Sequence, residues 1–136
     1  MEEAERTAQA EWLEALPMLQ GQVASTIYRM CQVDVDGYPT ATLEDYREAI
    51  DRLPPVLTAM KKLPSPPERD LKEAKREYEK ALDTLVKAAH RGVTLRSGDL
   101  PEEQGRVQLA DVVFNVGVAA DLIQQAIRTA NEFRKK

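Results

Sequence analysis

The stretch DVDGYPTATLED, residues 34–45, carries oxygen-bearing side chains at the spacing of a twelve-residue calcium loop. Asp34 falls at position 1, Asp36 at position 3, Thr40 at position 7, Thr42 at position 9 and Asp45 at position 12. Such a loop also needs an oxygen at position 5, a glycine at position 6 for its sharp turn, and a bidentate glutamate at position 12. Here Tyr38 stands at position 5, and its phenol projects too far to be a usual ligand. Pro39, held near φ of about −65°, stands where the glycine belongs. Asp45 is shorter than the glutamate it replaces. A connector accounts for more of the residues. Gly37 closes one helix, Pro39 follows because it cannot continue one, and Thr40 or Thr42 caps the next. Glu44 and Asp45 then favour the positive end of that helix. The expectation is a connector, and no metal ligand is assigned.

The other candidates for chemistry are thinner. His90 is the only histidine, so the paired Glu-x-x-His motifs of a di-iron bundle cannot form. Its expected place is the last turn of a helix, as a capping or surface residue. Ser25, Ser65 and Ser97 lack the context of a nucleophile elbow, so no catalytic residue is assigned. Glu44, Glu48 and Asp51 lie close to one helical face, as acids do in the all-α nucleotide pyrophosphohydrolases that hold magnesium. A second cluster would have to converge on them. Glu73, Glu77, Glu79 and Asp83 are available, but they are expected to face away from the apolar stripe of their helix. The stretch GVTLRSGD, residues 92–99, sets an arginine and two glycines before a helix N-terminus, where an anion could sit. It lacks the Gly-Lys-Ser/Thr ending of a phosphate loop and reads as a turn with a cap. No cofactor site is assigned.

Four helical segments must position these residues. The first spans about 3–33, with Ala8, Trp12, Ala15, Leu16, Leu19, Val23, Ile27 and Met30 on one face. The second spans about 43–63, with Leu43, Tyr46, Ile50, Leu53, Leu57 and Met60. Pro17 in the first and Pro54–Pro55 in the second remove amides inside the helix, so kinks are expected there. The third spans about 66–91. Ser65 is its expected N-cap, and Gly92 its expected C-terminal stop. Its stripe of Leu71, Ala74, Tyr78, Ala81, Leu82, Leu85 and Ala89 is narrow. The fourth spans about 100–134. It carries Leu109, Val112, Val116, Ala119, Ile123, Ile127 and Ala130 on one face, and Val107, Phe114, Val118 and Leu122 on a second, nearly opposite strip. Short links make successive helices antiparallel neighbours, so the expected fold is an all-α, up-down-up-down four-helix bundle in one domain, 1–136.

Composition narrows the function. At 43% hydrophobic and 31% charged, the 136 residues suit a globular domain. A net charge of −4 argues against nucleic-acid binding, which needs a basic footprint. The single Cys31 rules out an intrachain disulfide and a cysteine zinc site. No unbroken run of about 18 apolar residues occurs, so no membrane contact is expected. The acidic start is unlike a signal peptide and places the chain in the cytoplasm, or outside it if a leader has been removed.

The expected function is a non-enzymatic binding or interaction module. Its partner would be protein, a second copy included, reached through Val107, Phe114, Val118 and Leu122. Burial of that strip within the chain is the favoured expectation, contact with another chain the alternative. A bundle binding a small ligand or metal near the kinks is the second reading. A magnesium-dependent enzyme like the all-α nucleotide pyrophosphohydrolases is the third. The calcium question has a direct check. Calorimetric titration should give no dissociation constant below about a millimolar. Tighter binding that is lost in Asp34→Ala would overturn the connector reading.

Overall fold

The computed structural model describes residues 3–134. Four helices follow in order: α1, Glu3–Met30; α2, Leu43–Lys62; α3, Arg69–Ser97; and α4, Glu102–Arg134. They pack as an all-α four-helix bundle. α3 is its centre, touching α2 on one side and α4 on the other. α1 leans mainly on α2 and only lightly on α4. α1 and α2 both run through their prolines as unbroken helices.

The period of 3.6 residues places the core. Trp12, Leu16, Val23 and Met30 of α1 are buried, as are Tyr46, Leu53 and Met60 of α2. Every residue of the α3 stripe is buried, from Leu71 to Ala89. Leu109, Val112, Val116, Ala119, Ile123 and Ala130 bury the inner face of α4. These side chains form one continuous core. Tyr78 of α3 crosses it to α1, where its hydroxyl donates to Gln20 Oε1 at 2.7 Å.

The helix ends depart from expectation, each for a local reason. α1 stops at Met30, so Gly37 lies well beyond it. Gly37 adopts φ 83° in the turn of the connector, which a single bridge between Val33 and Pro39 closes. Thr42 does cap α2. Its hydroxyl accepts from Asp45 N at 3.2 Å, and Asp45 Oδ2 accepts from Thr42 N at 2.8 Å, a reciprocal capping box. At α3 the cap is Glu68 rather than Ser65, its carboxylate accepting from Leu71 N at 3.0 Å.

Gly92 does not end α3. The helix continues to Ser97, and Gly92 is buried within it. Its missing side chain has another use, because a Cβ there would come 2.5 Å from Cγ and Cε1 of the Tyr46 ring. The glycine exists so that α2 can lay an aromatic face against α3. His90 is accordingly not in a last turn. It is exposed in mid-helix, and its carbonyl accepts from the Thr94 hydroxyl at 3.2 Å.

Gly92→Ala should lower stability by about 1–3 kcal/mol through overpacking, despite the gain of up to about 1 kcal/mol in helix propensity. Combined with Tyr46→Leu, the two changes should be non-additive in a double-mutant cycle, with alanine tolerated better once the ring is gone. Additive effects by chemical denaturation would show that the ring does not depend on the glycine.

Candidate interaction face and the sites weighed against it

The calcium-like stretch turns its carboxylates on its own backbone. Asp34 Oδ1 accepts from Asp36 N at 2.9 Å and from Tyr38 N at 3.0 Å. Asp45 is engaged in the α2 cap. Arg96, near the end of α3, donates to Ala41 O at 2.9 Å and Pro39 O at 3.1 Å. The Arg106 guanidinium of α4 sits over the Tyr38 ring, 4.2 Å from its centroid. Arg96 is the arginine that could have held an anion, and it holds connector carbonyls instead. Between the connector and the start of α4 lies an open cleft of about 390 Å³, lined by Asp34, Tyr38, Arg96, Leu100 and Arg106 among others.

The acids weighed for magnesium do not converge. Glu48 is paired with Arg29 of α1 and with Arg52 at 2.6 Å, and Glu44 with Arg47 at 3.4 Å. On α3, Glu79 holds Lys75 at 2.6 Å and Asp83 holds Lys87 at 3.1 Å. Lys75 is the one buried cation among the described residues, and Glu79 offsets the cost of desolvating it. No group of three or more histidine, cysteine or acidic side chains among the described residues is arranged to hold a metal ion.

Glu73 and Glu77 do something different. With Asp70 they line a groove between α3 and α4, about 360 Å³ in volume, whose far wall is Leu122, Gln125, Thr129 and Glu132. Ala74 and Ala126 also line it. The antiparallel register that pairs Arg91 with Asp111 also brings Asp70 to Glu132. Glu73 and Glu77 were legible as acids of the third helix, whereas Asp70, Glu132 and the groove itself were not. The spacing of Asp70, Glu73 and Glu77 marks one helical face, and the register with α4 was the missing information.

The second strip of α4 faces outward. Val107 is 68% exposed, Phe114 67% and Val118 45%; Leu122 is partly buried at the edge of the core. The expectation that the chain itself buries this strip is therefore corrected. α3 and α1 cover only the Leu109–Ala130 face, and no fifth element exists among the described residues to cover the other. Asp111, beside the strip, is exposed and paired with Arg91. An 18-residue window of α4 averages a mean hydropathy of 1.3 and is only 28% buried, long and apolar enough by composition to cross a membrane. Polar residues such as Asp111, Asn115 and Asp121 are scattered through this stretch, so it holds no unbroken apolar run of that length.

The ligand reading placed a site near the prolines. Neither the α3–α4 groove nor the clefts around the connector and the start of α4 are lined by Pro17, Pro54 or Pro55. Among the described residues, three buried polar atoms lack hydrogen-bond partners: Gln9 Oε1, Trp12 Nε1 and Tyr46 Oη. Burial raises the phenol pKa of Tyr46, with Arg96 opposing and Asp45 and Cys31 adding to the rise. Burial raises that of Tyr78 as well. A tyrosine whose pKa is raised on folding supports stability below the unfolded value of about 10 and loses that support as pH climbs above it. Stability should therefore fall above about pH 10, and less steeply in Tyr46→Phe. At neutral pH Tyr46→Phe should be neutral or stabilising, because it removes an unsatisfied hydroxyl. Tyr78→Phe should cost about 0.5–1.5 kcal/mol with its bond to Gln20. Thermal melts across the alkaline range check both.

Comparison of the chain with family models, curated proteins and solved structures returns no match, so the reading of this face rests on its own geometry.

Proposed function

We propose that the chain is a non-enzymatic interaction module that binds protein through the outer face of α4, by way of Val107, Phe114, Val118 and Leu122. The observation that carries the reading is the exposure of Val107, Phe114 and Val118 along one line of a helix whose opposite face is fully used. Apolar residues scattered singly over a surface need no explanation, but a row at helical spacing marks an interaction surface. The engagement of Asp34, Asp45 and Glu48 with groups of their own chain lends nothing to a metal-dependent alternative.

Two measurements test the reading. Phe114→Ala should shift unfolding stability by no more than about 0.5 kcal/mol, as for a surface site. A buried phenylalanine would cost about 3–5 kcal/mol. A photo-crosslinking phenylalanine analogue at position 114 should then form protein adducts in cells that the same group at position 87, on exposed Lys87, does not form. Identical adduct patterns at the two positions would overturn the proposal.

A further inference from the structure

Pro17 divides α1 into two halves that are held differently. It has no amide, so the carbonyl of Leu13, four residues back, loses its usual donor. Arg134, at the end of α4, donates to that oxygen instead. Among the described residues this is the one hydrogen bond or ion pair that ties residues 3–16 to another element. The second half is better anchored. Gln20 accepts from Tyr78 of α3, and Arg29 pairs with Glu48 of α2. Counting back from that pair along two antiparallel helices brings Leu16 opposite Lys61, where α2 is about to end. The residues before Leu16 therefore run past α2. Only Trp12 and Leu16 are buried among residues 3–16. Two of the three orphaned polar atoms, Gln9 Oε1 and Trp12 Nε1, also lie there, one turn apart. Exposure would give both of them water as a partner.

We infer that residues 3–16 form a strap, which opens as a unit about Pro17 while the remaining bundle stays folded. Pro17 already interrupts the backbone ladder at one point, so the two halves of α1 part there with one amide bond fewer to break. Arg134 is the latch, closed on the carbonyl that Pro17 releases. Trp12 is the plug. Its side chain is fully buried, so leaving gives up apolar burial, but its unpaired Nε1 gains a hydrogen bond to water. Fraying from Glu3 would stop at this anchor, whereas a hinge at Pro17 carries the anchor with it. Opening uncovers an apolar recess at the end of the bundle away from the connector. Leu63, Ala130 and Phe133 lie at that end, in or against the core. The recess is separate from the outer face of α4, and it is available only while the strap is open.

Trp12 is the only tryptophan, so its emission reports the strap, while far-UV circular dichroism reports the bundle. In urea the emission change should come first, at a lower midpoint than the loss of helicity. Coincident transitions make the chain a single two-state unit and overturn the proposal. Arg134→Met should lower the emission midpoint and leave the helicity midpoint in place. Equal shifts in both, or no shift in either, overturn it. Pro17→Ala returns an amide to Leu13 O, so it should narrow the gap between the two transitions and make Arg134→Met nearly silent. A gap of unchanged width removes the hinge from Pro17 and overturns the proposal. Hydrogen exchange followed by NMR tests the unit directly. The amides of residues 8–16 should share one opening and exchange at least roughly tenfold faster than those of residues 20–30. A smooth gradient of protection rising from Glu3 through residue 30 is fraying, and it overturns the strap.

Discussion

The distance between α2 and α3 is set by a side chain that is absent. Tyr46 lies flat against the backbone of α3 at Gly92, and any larger residue there would push the helices apart. The contact sits at the end of the bundle where the connector and the α3–α4 link also meet. Arg96 stands one turn beyond Gly92 on the same helix and binds the carbonyls of Pro39 and Ala41. The approach of one ring to one glycine thus fixes where the connector can close and where α4 begins. Tyr46 loses a hydrogen-bond partner in that position. Close packing of its ring offsets that loss, as it must in an interior where unpaired polar atoms are costly.

Periodicity made the inner faces legible. Every residue of the α3 stripe read from sequence is buried, with Lys75, Ala88 and Gly92 buried beside it, because a 3.6-residue repeat records which side chains share a side. It does not record what lies on that side. The second strip of α4 has the same spacing whether it meets a helix or solvent, and only the placement of α1 and α3 decides between them. Boundaries failed for a related reason. Gly92 has the composition of a helix stop but the duty of a packing contact, and propensity yields to tertiary contact there. Ser65 offers a cap, yet Glu68 is the residue whose carboxylate reaches the first free amide. The acidic groove was half legible. Its α3 wall follows from spacing, while Glu132 enters through a register that one chain of letters does not state.

The ion pairs divide the surface unevenly. On α2, arginines from two helices neutralise Glu48, and along α3 lysines answer Glu79 and Asp83. The exposed pairs among these add little stability, about 0–1 kcal/mol each, whereas Lys75–Glu79 is largely buried. The effect of the exposed pairs is rather to cancel local charge along α2 and α3.

The connector between α1 and α2 is twelve residues long, a length at which many loops move independently. Here Asp34 binds the amides of its own turn, Arg96 clasps two carbonyls from α3, and Arg106 stacks on Tyr38 from α4. Two helices grip it besides its own turn. These contacts tie its opening to that of the end of α3, so the segment that looks most like a hinge in the chain is built as a clasp.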